Sequence, residues 1–140
     1  MTHSSPTPPP PADLTPEDLD EDDAGPACVM VFNASDPSGA GGLAADISAI
    51  ASVGGHALAI VTGAYARDTA RIFDHFPFDE DAVAEQARAV LEDVPVQGIK
   101  VGFVGSPENI STIAAIAADY ADVPMVAYMP DLSWWDEDKI

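Results

Sequence analysis

The stretch Asn33–Ile47, NASDPSGAGGLAADI, decides the fold. An apolar run, CVMVFNA (28–34), leads into it, and a helix-like pattern leads out. A short apolar run bounded by turn residues reads as a buried strand. Over GGLAADISAIASV (41–53), Leu43, Ile47, Ile50 and Ala51 recur at helical spacing, and Gly54-Gly55 stops the pattern. The stretch is therefore a strand, a permissive turn and the start of a helix. Gly39, Gly41 and Gly42 would let a small flat ligand approach the backbone closely. Free N–H groups at the helix start would face that ligand as donors. Asp36 and Asp46 flank them as acceptors, and an amino-bearing heterocycle needs both kinds of group. Asp36 can equally N-cap or brace the turn.

The alternation continues along the chain. ALAIVTG (57–63) reads as a second buried strand. Asp79 caps a helix reaching Glu92, with Val83, Ala87, Val90 and Leu91 on one face. GIKVGFVG (98–105) is a third strand. Ser106-Pro107 pairs an N-cap with proline at the first helical position, opening a helix to about Ala121. Ile110, Ile113, Ala117 and Tyr120 are its expected inward face, and VPMVAYM (123–129) is a fourth strand. Strands alternating with helices imply a parallel sheet covered on both faces, an α/β fold. Ligands of such sheets bind beyond the carboxyl ends of the strands. The loops to watch are Ser35–Ala40, Ala64–Ala70, Gly105–Ser106 and Pro130–Ser133.

Composition excludes several functions. The 140 residues hold 24 acidic and 5 basic side chains, a net charge of −19. Nucleic acid is held by Lys and Arg, so neither it nor an anionic membrane surface is an expected partner. A lone cysteine, Cys28, rules out an internal disulfide and reads as a buried core thiol. No basic and apolar leader opens the chain, and no run approaches the roughly 18 apolar residues of a membrane span. The expected location is the cytoplasm. Residues 1–26 carry seven prolines, seven acids and no Lys or Arg, and are expected to be a disordered tail. Residues 27–140 then form the folded part.

Other motifs are weaker. Gly39–Ala44 fits the loose dinucleotide fingerprint Gly-x-Gly-x-x-Ala, but Asp-Pro-Ser separates strand from glycines and IVTGAY offers no acid for a ribose. There is no Gly-Lys-Ser/Thr of a P-loop. His56 reads as a surface or cap residue, and His75, between aromatics, as a packing residue. Lys100 can reach the carboxyl-end site or snorkel outward.

NASDPSGAGGLAADI resembles the first strand–loop–helix of the hydroxymethylpyrimidine/phosphomethylpyrimidine kinases of thiamine biosynthesis, in the ribokinase-like superfamily. Their usual wording is Ala-Gly-Ser-Asp-Pro-Ser-Gly-Gly-Ala-Gly, then Ala-Asp. The likeness continues through the Ser-Val-Gly-Gly helix end, through IVTGAYARDT (similar to Thr-Ala-x-x-x-Gln-Asn-Thr) and through IKVGFVGSPENI (similar to Lys-x-Gly-Met). It runs in order from about residue 28 to 130. The resemblance implies a doubly wound, mainly parallel ribokinase-like fold, present as its N-terminal, substrate-side part. It implies phosphorylation of hydroxymethylpyrimidine and then its monophosphate, with ATP and magnesium. It places the pyrimidine against Asp36, Gly41 and Gly42 of the first loop. Asp46 matches the helix aspartate near the ring, Arg67 stands where a ring-binding Gln is usual, and Phe103 where a Met packs on the ring. No catalytic residue and no metal ligand is assigned.

The sequence also departs from the pattern. Ala34 replaces a usual glycine, Arg67 replaces Gln and Asp68 replaces Asn. VAYMP lacks an Asp near the strand end, although Asp131 follows. The half that carries most of the ATP site in these kinases has no counterpart here, so the chain alone is expected to be inactive. A homodimer is left open for a longer form. The other readings are a non-catalytic kinase-like metabolite binder and a dinucleotide-binding fragment. Removing residues 1–26, which have no apolar face, should leave folding intact. Calorimetric melting of the shortened and parent chains should agree to within a few degrees, and a larger drop would contradict a disordered tail.

Overall fold

A computed structural model of the chain describes residues 25–128. The acidic tail up to residue 24, Met129, the loop Pro130–Ser133 with Asp131, and Trp134 and Trp135 lie outside the described residues.

The elements run β1 Cys28–Ser35, α1 Gly42–Ser52, β2 His56–Arg67, β3 Ile72–Pro77, α2 Glu80–Asp93, β4 Gly98–Val101, α3 Pro107–Asp119 and β5 Met125–Ala127. Five strands form one sheet in the order β3-β2-β1-β4-β5. β1 pairs in parallel with β2 and β4, and β4 with β5. The chain thus winds from β1 to one side and then crosses to the other. The chain leaves β1 and β4 towards opposite edges of the sheet, and such a switch is where ligands of these folds bind.

Side chains alternate across β1 because successive Cβ atoms point to opposite faces. Met30 and Phe32 join Ile60, Ile99 and Val104 with Val83 and Ala87 of α2 and Ile113 and Ile116 of α3 in one core. Asn33 points the other way and meets α1. The Asp79 cap forms as expected, its carboxylate accepting from the Ala82 N–H at 2.8 Å. Ser106 caps α3 with Pro107 at its first position. Gly54 and Gly55 close α1 by donating to the Ala51 and Ile50 carbonyls.

Several expectations change. IFDHFP is a strand, and it runs antiparallel to β2, so the sheet is mixed rather than wholly parallel. β2 therefore continues through Ala64–Arg67, residues that read as loop. The cause is the Asp68 carboxylate, which accepts from the Ala70 and Arg71 N–H groups and closes a tight hairpin. The inward stripe of α3 is Asn109, Ile113 and Ile116, while Ile110 is 59% exposed. Asn109 is drawn in because its amide donates to the Phe78 and Val104 carbonyls. In α1 Leu43 is buried but Ile47 is exposed, and Asp46 takes the inward place between them. Cys28 is only half-buried, since β1 begins at the rim of the sheet.

Gln86 of α2 covers a gap in the ladder. Val61 has no β3 partner, and the Gln86 amide accepts from its N–H and donates to its carbonyl, both at 2.9 Å. This satisfies a partly buried peptide group that β3 leaves unpaired.

Gly105 sets the turn between β4 and α3. It adopts φ +82°, and a Cβ there would lie 2.3 Å from His75 Cε1. Gly105→Ala should therefore lower stability by roughly 2–4 kcal/mol, combining the left-handed backbone cost with overpacking. Chemical denaturation would measure it, and an unchanged midpoint would contradict this packing.

Candidate functional site

The loop after β1 wraps around its own aspartate. Asp36 Oδ1 accepts from the Ser38 N–H at 2.8 Å and the Ser38 hydroxyl at 2.6 Å. Asp36 Oδ2 accepts from the Gly41 N–H at 2.8 Å. The Gly39 N–H donates to the Asp36 carbonyl, and the Ala40 N–H to Ser38 Oγ. Four successive N–H groups, 38 to 41, are thus turned inward onto Asp36 and Ser38. No side chain caps α1, so its first-turn N–H groups are the donors left at this end.

The glycines serve this closure. Gly42 has φ +61°, and a Cβ on it would meet the Ala34 carbonyl at 2.5 Å and Asp36 Cβ at 2.9 Å. Ala34 itself is fully buried, so the helix start presses directly on the strand end. Gly41 contributes its N–H rather than open space.

Each buried carboxylate holds one cation. Arg67 Nη1 lies 3.4 Å from Asp36 Oδ2, and Arg67 Nε donates to the Asp68 carbonyl. Arg67 therefore spans the ends of β1 and β2. Asp46 Oδ1 accepts from Lys100 Nζ, and Asp46 Oδ2 from Asn33 Nδ2 at 2.7 Å. Lys100 thus reaches inward from β4. Asn33 Oδ1 accepts in turn from the Ala34 N–H at 2.8 Å and the Phe103 N–H at 3.2 Å. Together Asn33, Asp46 and Lys100 tie β1, α1 and β4 across the switch. Burial opposes ionisation of Asp36, but the hydrogen bonds from Ser38 and Gly41 and the Arg67 charge outweigh it and hold its carboxyl below the usual range.

Phe103 is 6% exposed. Tyr65 stacks on it with centroids 5.7 Å apart and planes 18° apart, and the His75 ring meets it edge-on at 4.7 Å. Its ring therefore does not stand open to a ligand as expected. Burial pushes the Tyr65 hydroxyl up to about 12, against the nearby Arg67 and with Asp36. His75 packs as read from sequence, and His56 is exposed.

Asp36, Gly41, Gly42, Asp46 and Arg67 thus surround the carboxyl ends of β1, β2 and β4, with Phe103 beneath. The sequence reading overlooked Asn33, Thr62 and Tyr65. A polar residue at the end of a buried strand needs a partner, and that signal was available at Asn33. The bulge between Val61 and Ala64, just before Tyr65, left no local mark.

A mixed, doubly wound sheet with its charged groups at the switch point is the architecture of ribokinase-like kinases. The phosphomethylpyrimidine kinase family model matches residues 36–133. The chain belongs to that family. It is 30% identical over 101 residues to the hydroxymethylpyrimidine/phosphomethylpyrimidine kinase of Streptomyces coelicolor, covering 72% of this chain and 37% of that one. The crystal structure of phosphomethylpyrimidine kinase from Clostridium difficile superposes with a TM-score of 0.67 at 28% identity, over 72% of this chain and 44% of the other. An ADP complex of Bacillus subtilis pyridoxal kinase shares the fold, with a TM-score of 0.63 at 22% identity over 72% and 39% of the two chains. The chain spans between about a quarter and two fifths of the length of the first such kinases it matches. Among the described residues no helix is long and apolar enough to cross a membrane.

The residues present do not fit magnesium. Among the described residues no group of three or more His, Cys, Asp or Glu is arranged for a metal ion, and Asp36 and Asp46 are each committed to N–H and cationic partners. The loop does not fit a nucleotide phosphate either, since its donors already serve a carboxylate.

A group whose folded pKa is depressed stabilises above its unfolded pKa and loses that contribution as pH falls. Asp36→Asn should cost about 2 kcal/mol at pH 7, as for lost hydrogen bonds to a charged group. The difference from the parent should shrink below the ordinary value of 3.8 as the parent carboxylate protonates. Denaturation from pH 7 to 3 tests this, and a pH-independent difference would count against it.

Proposed function

We propose that this chain forms the pyrimidine-binding part of a kinase that transfers phosphoryl from ATP to hydroxymethylpyrimidine and to its monophosphate in thiamine biosynthesis. The observation that carries the reading is the Asn33–Asp46–Lys100 network across the β1/β4 switch, whose Asp46 and Lys100 lie within the segment matched by the family model. Asp46 accepts, the first turn of α1 donates, and an aminopyrimidine edge requires both. The chain's own task is to bind, orient and exclude water, and the nucleotide is the part of the reaction these residues do not hold. Phosphoryl transfer of this kind rests on positioning and electrostatics.

Arg67 gives the site a distinct chemistry. Arginine offers donors only and a fixed charge, so it suits a ligand with carbonyl or phosphate acceptors. Here it rests on Asp36, so an incoming phosphate must share the guanidinium with that carboxylate or displace it. The monophosphate is accordingly the favoured substrate.

Calorimetric titration of the chain with hydroxymethylpyrimidine, its monophosphate and pyridoxal tests the reading. Both pyrimidines should bind saturably, the monophosphate more tightly. In Arg67→Gln the order should move towards the unphosphorylated ring. No saturable binding of either pyrimidine would overturn the proposal, and an unchanged ratio in the variant would remove Arg67 from the ligand.

A further inference from the structure

The ring triad at the floor of the site is closed. Tyr65 and His75 are cross-strand partners in the β2–β3 hairpin, with rings 5.3 Å apart, and both pack on Phe103. Phe103 cannot back away. Its N–H donates to Asn33 Oδ1, and its carbonyl accepts from Thr62 Oγ1 at 2.9 Å. Nor can His75. A Cβ on Gly63 would lie 2.9 Å from its Nε2 and one on Gly105 2.3 Å from its Cε1, so the imidazole fills a slot that only glycines leave. Tyr65 is different. It is half-buried, it covers Phe103, and it sits two residues before Arg67, whose guanidinium rests on Asp36.

A flat ligand arriving between Asp36, Asp46 and Arg67 therefore meets Tyr65 before it can meet Phe103. We propose that Tyr65, and not Phe103, supplies the aromatic face on which a heteroaromatic ring stacks, with Phe103 and His75 as its buttress. Tyr65 is then a specificity-determining residue. Its stacked pose is held by two rings that are themselves fixed, so little ordering is lost when the ligand binds. The phenol also lies within electrostatic reach of the Arg67–Asp36 pair. The inference rests on the pyrimidine reading above. The competing arrangement has the ligand displace Tyr65 and stack on Phe103 itself, in which case Tyr65 obstructs binding.

The two arrangements give opposite results. Hydroxymethylpyrimidine is titrated into the ¹³C-labelled chain, and filtered nuclear Overhauser effects are recorded from the pyrimidine methyl and ring protons. Tyr65 ring protons should respond and those of Phe103 should not. Tyr65→Phe should bind like the parent, and Tyr65→Leu about tenfold more weakly, the usual loss of one ring-stacking face. Contacts to Phe103 with the Tyr65 ring displaced, or a Tyr65→Leu chain that binds as tightly as the parent or tighter, would overturn the proposal while leaving the pyrimidine reading intact. If the parent chain shows no saturable binding, the pyrimidine reading fails and this proposal with it. Should Tyr65→Leu not fold, the contacts in the parent chain still decide between the two rings.

Discussion

The Asp36 carboxylate organises this end of the molecule. Once it accepts from Ser38 and Gly41, the loop has one shape, and that shape fixes where α1 starts. The start of α1 in turn sets Asp46 against Asn33 and Lys100. The same carboxylate holds Arg67, so the end of β2 is positioned by an acceptor on β1. A charged acceptor suits this role because hydrogen bonds to ions are roughly twice as strong as neutral ones. The glycines answer to the same constraint: the turn NASDPSGAGG holds its own aspartate, and Gly42 allows the close approach that makes this geometry possible.

The pairing of charges also explains how so acidic a chain builds a site of mixed polarity. Only five basic residues are available, and two of them, Arg67 and Lys100, are spent at the carboxyl edge of the sheet on buried carboxylates. Leaving either acid buried without its cation would cost several kcal/mol. The arrangement gives both carboxylates a cationic partner and lowers the local negative charge.

Much of this was legible in the sequence. The short apolar run of β1, the caps at Asp79 and Ser106 and the Gly54-Gly55 stop are local signals, and each marked its element. The placing of Asp36, Asp46 and Arg67 near the strand ends followed from order along the chain. What could not be read was set by contacts distant in sequence. β3 exists because the Asp68 turn folds a polar, aromatic segment back onto β2. The face of α3 is chosen by the Asn109 amide, whose partner Phe78 lies 31 residues away. The stacking of Tyr65 on Phe103 was likewise beyond a one-dimensional reading, because the two are distant in sequence.

The separations within the site have a consequence for how the molecule assembles. The Asp36–Gly41 bond closes a loop of five residues, whereas Asp46–Lys100 spans 54 and Asn33–Phe103 spans 70. Short closures form quickly and at small entropic cost, while distant ones wait until much of the sheet is in place. The β1–α1 half of the site can therefore take its shape on a growing chain, before β4 has been synthesised. The network itself becomes complete only when Lys100 and Phe103 arrive, so its closure marks the docking of β4 beside β1 during folding.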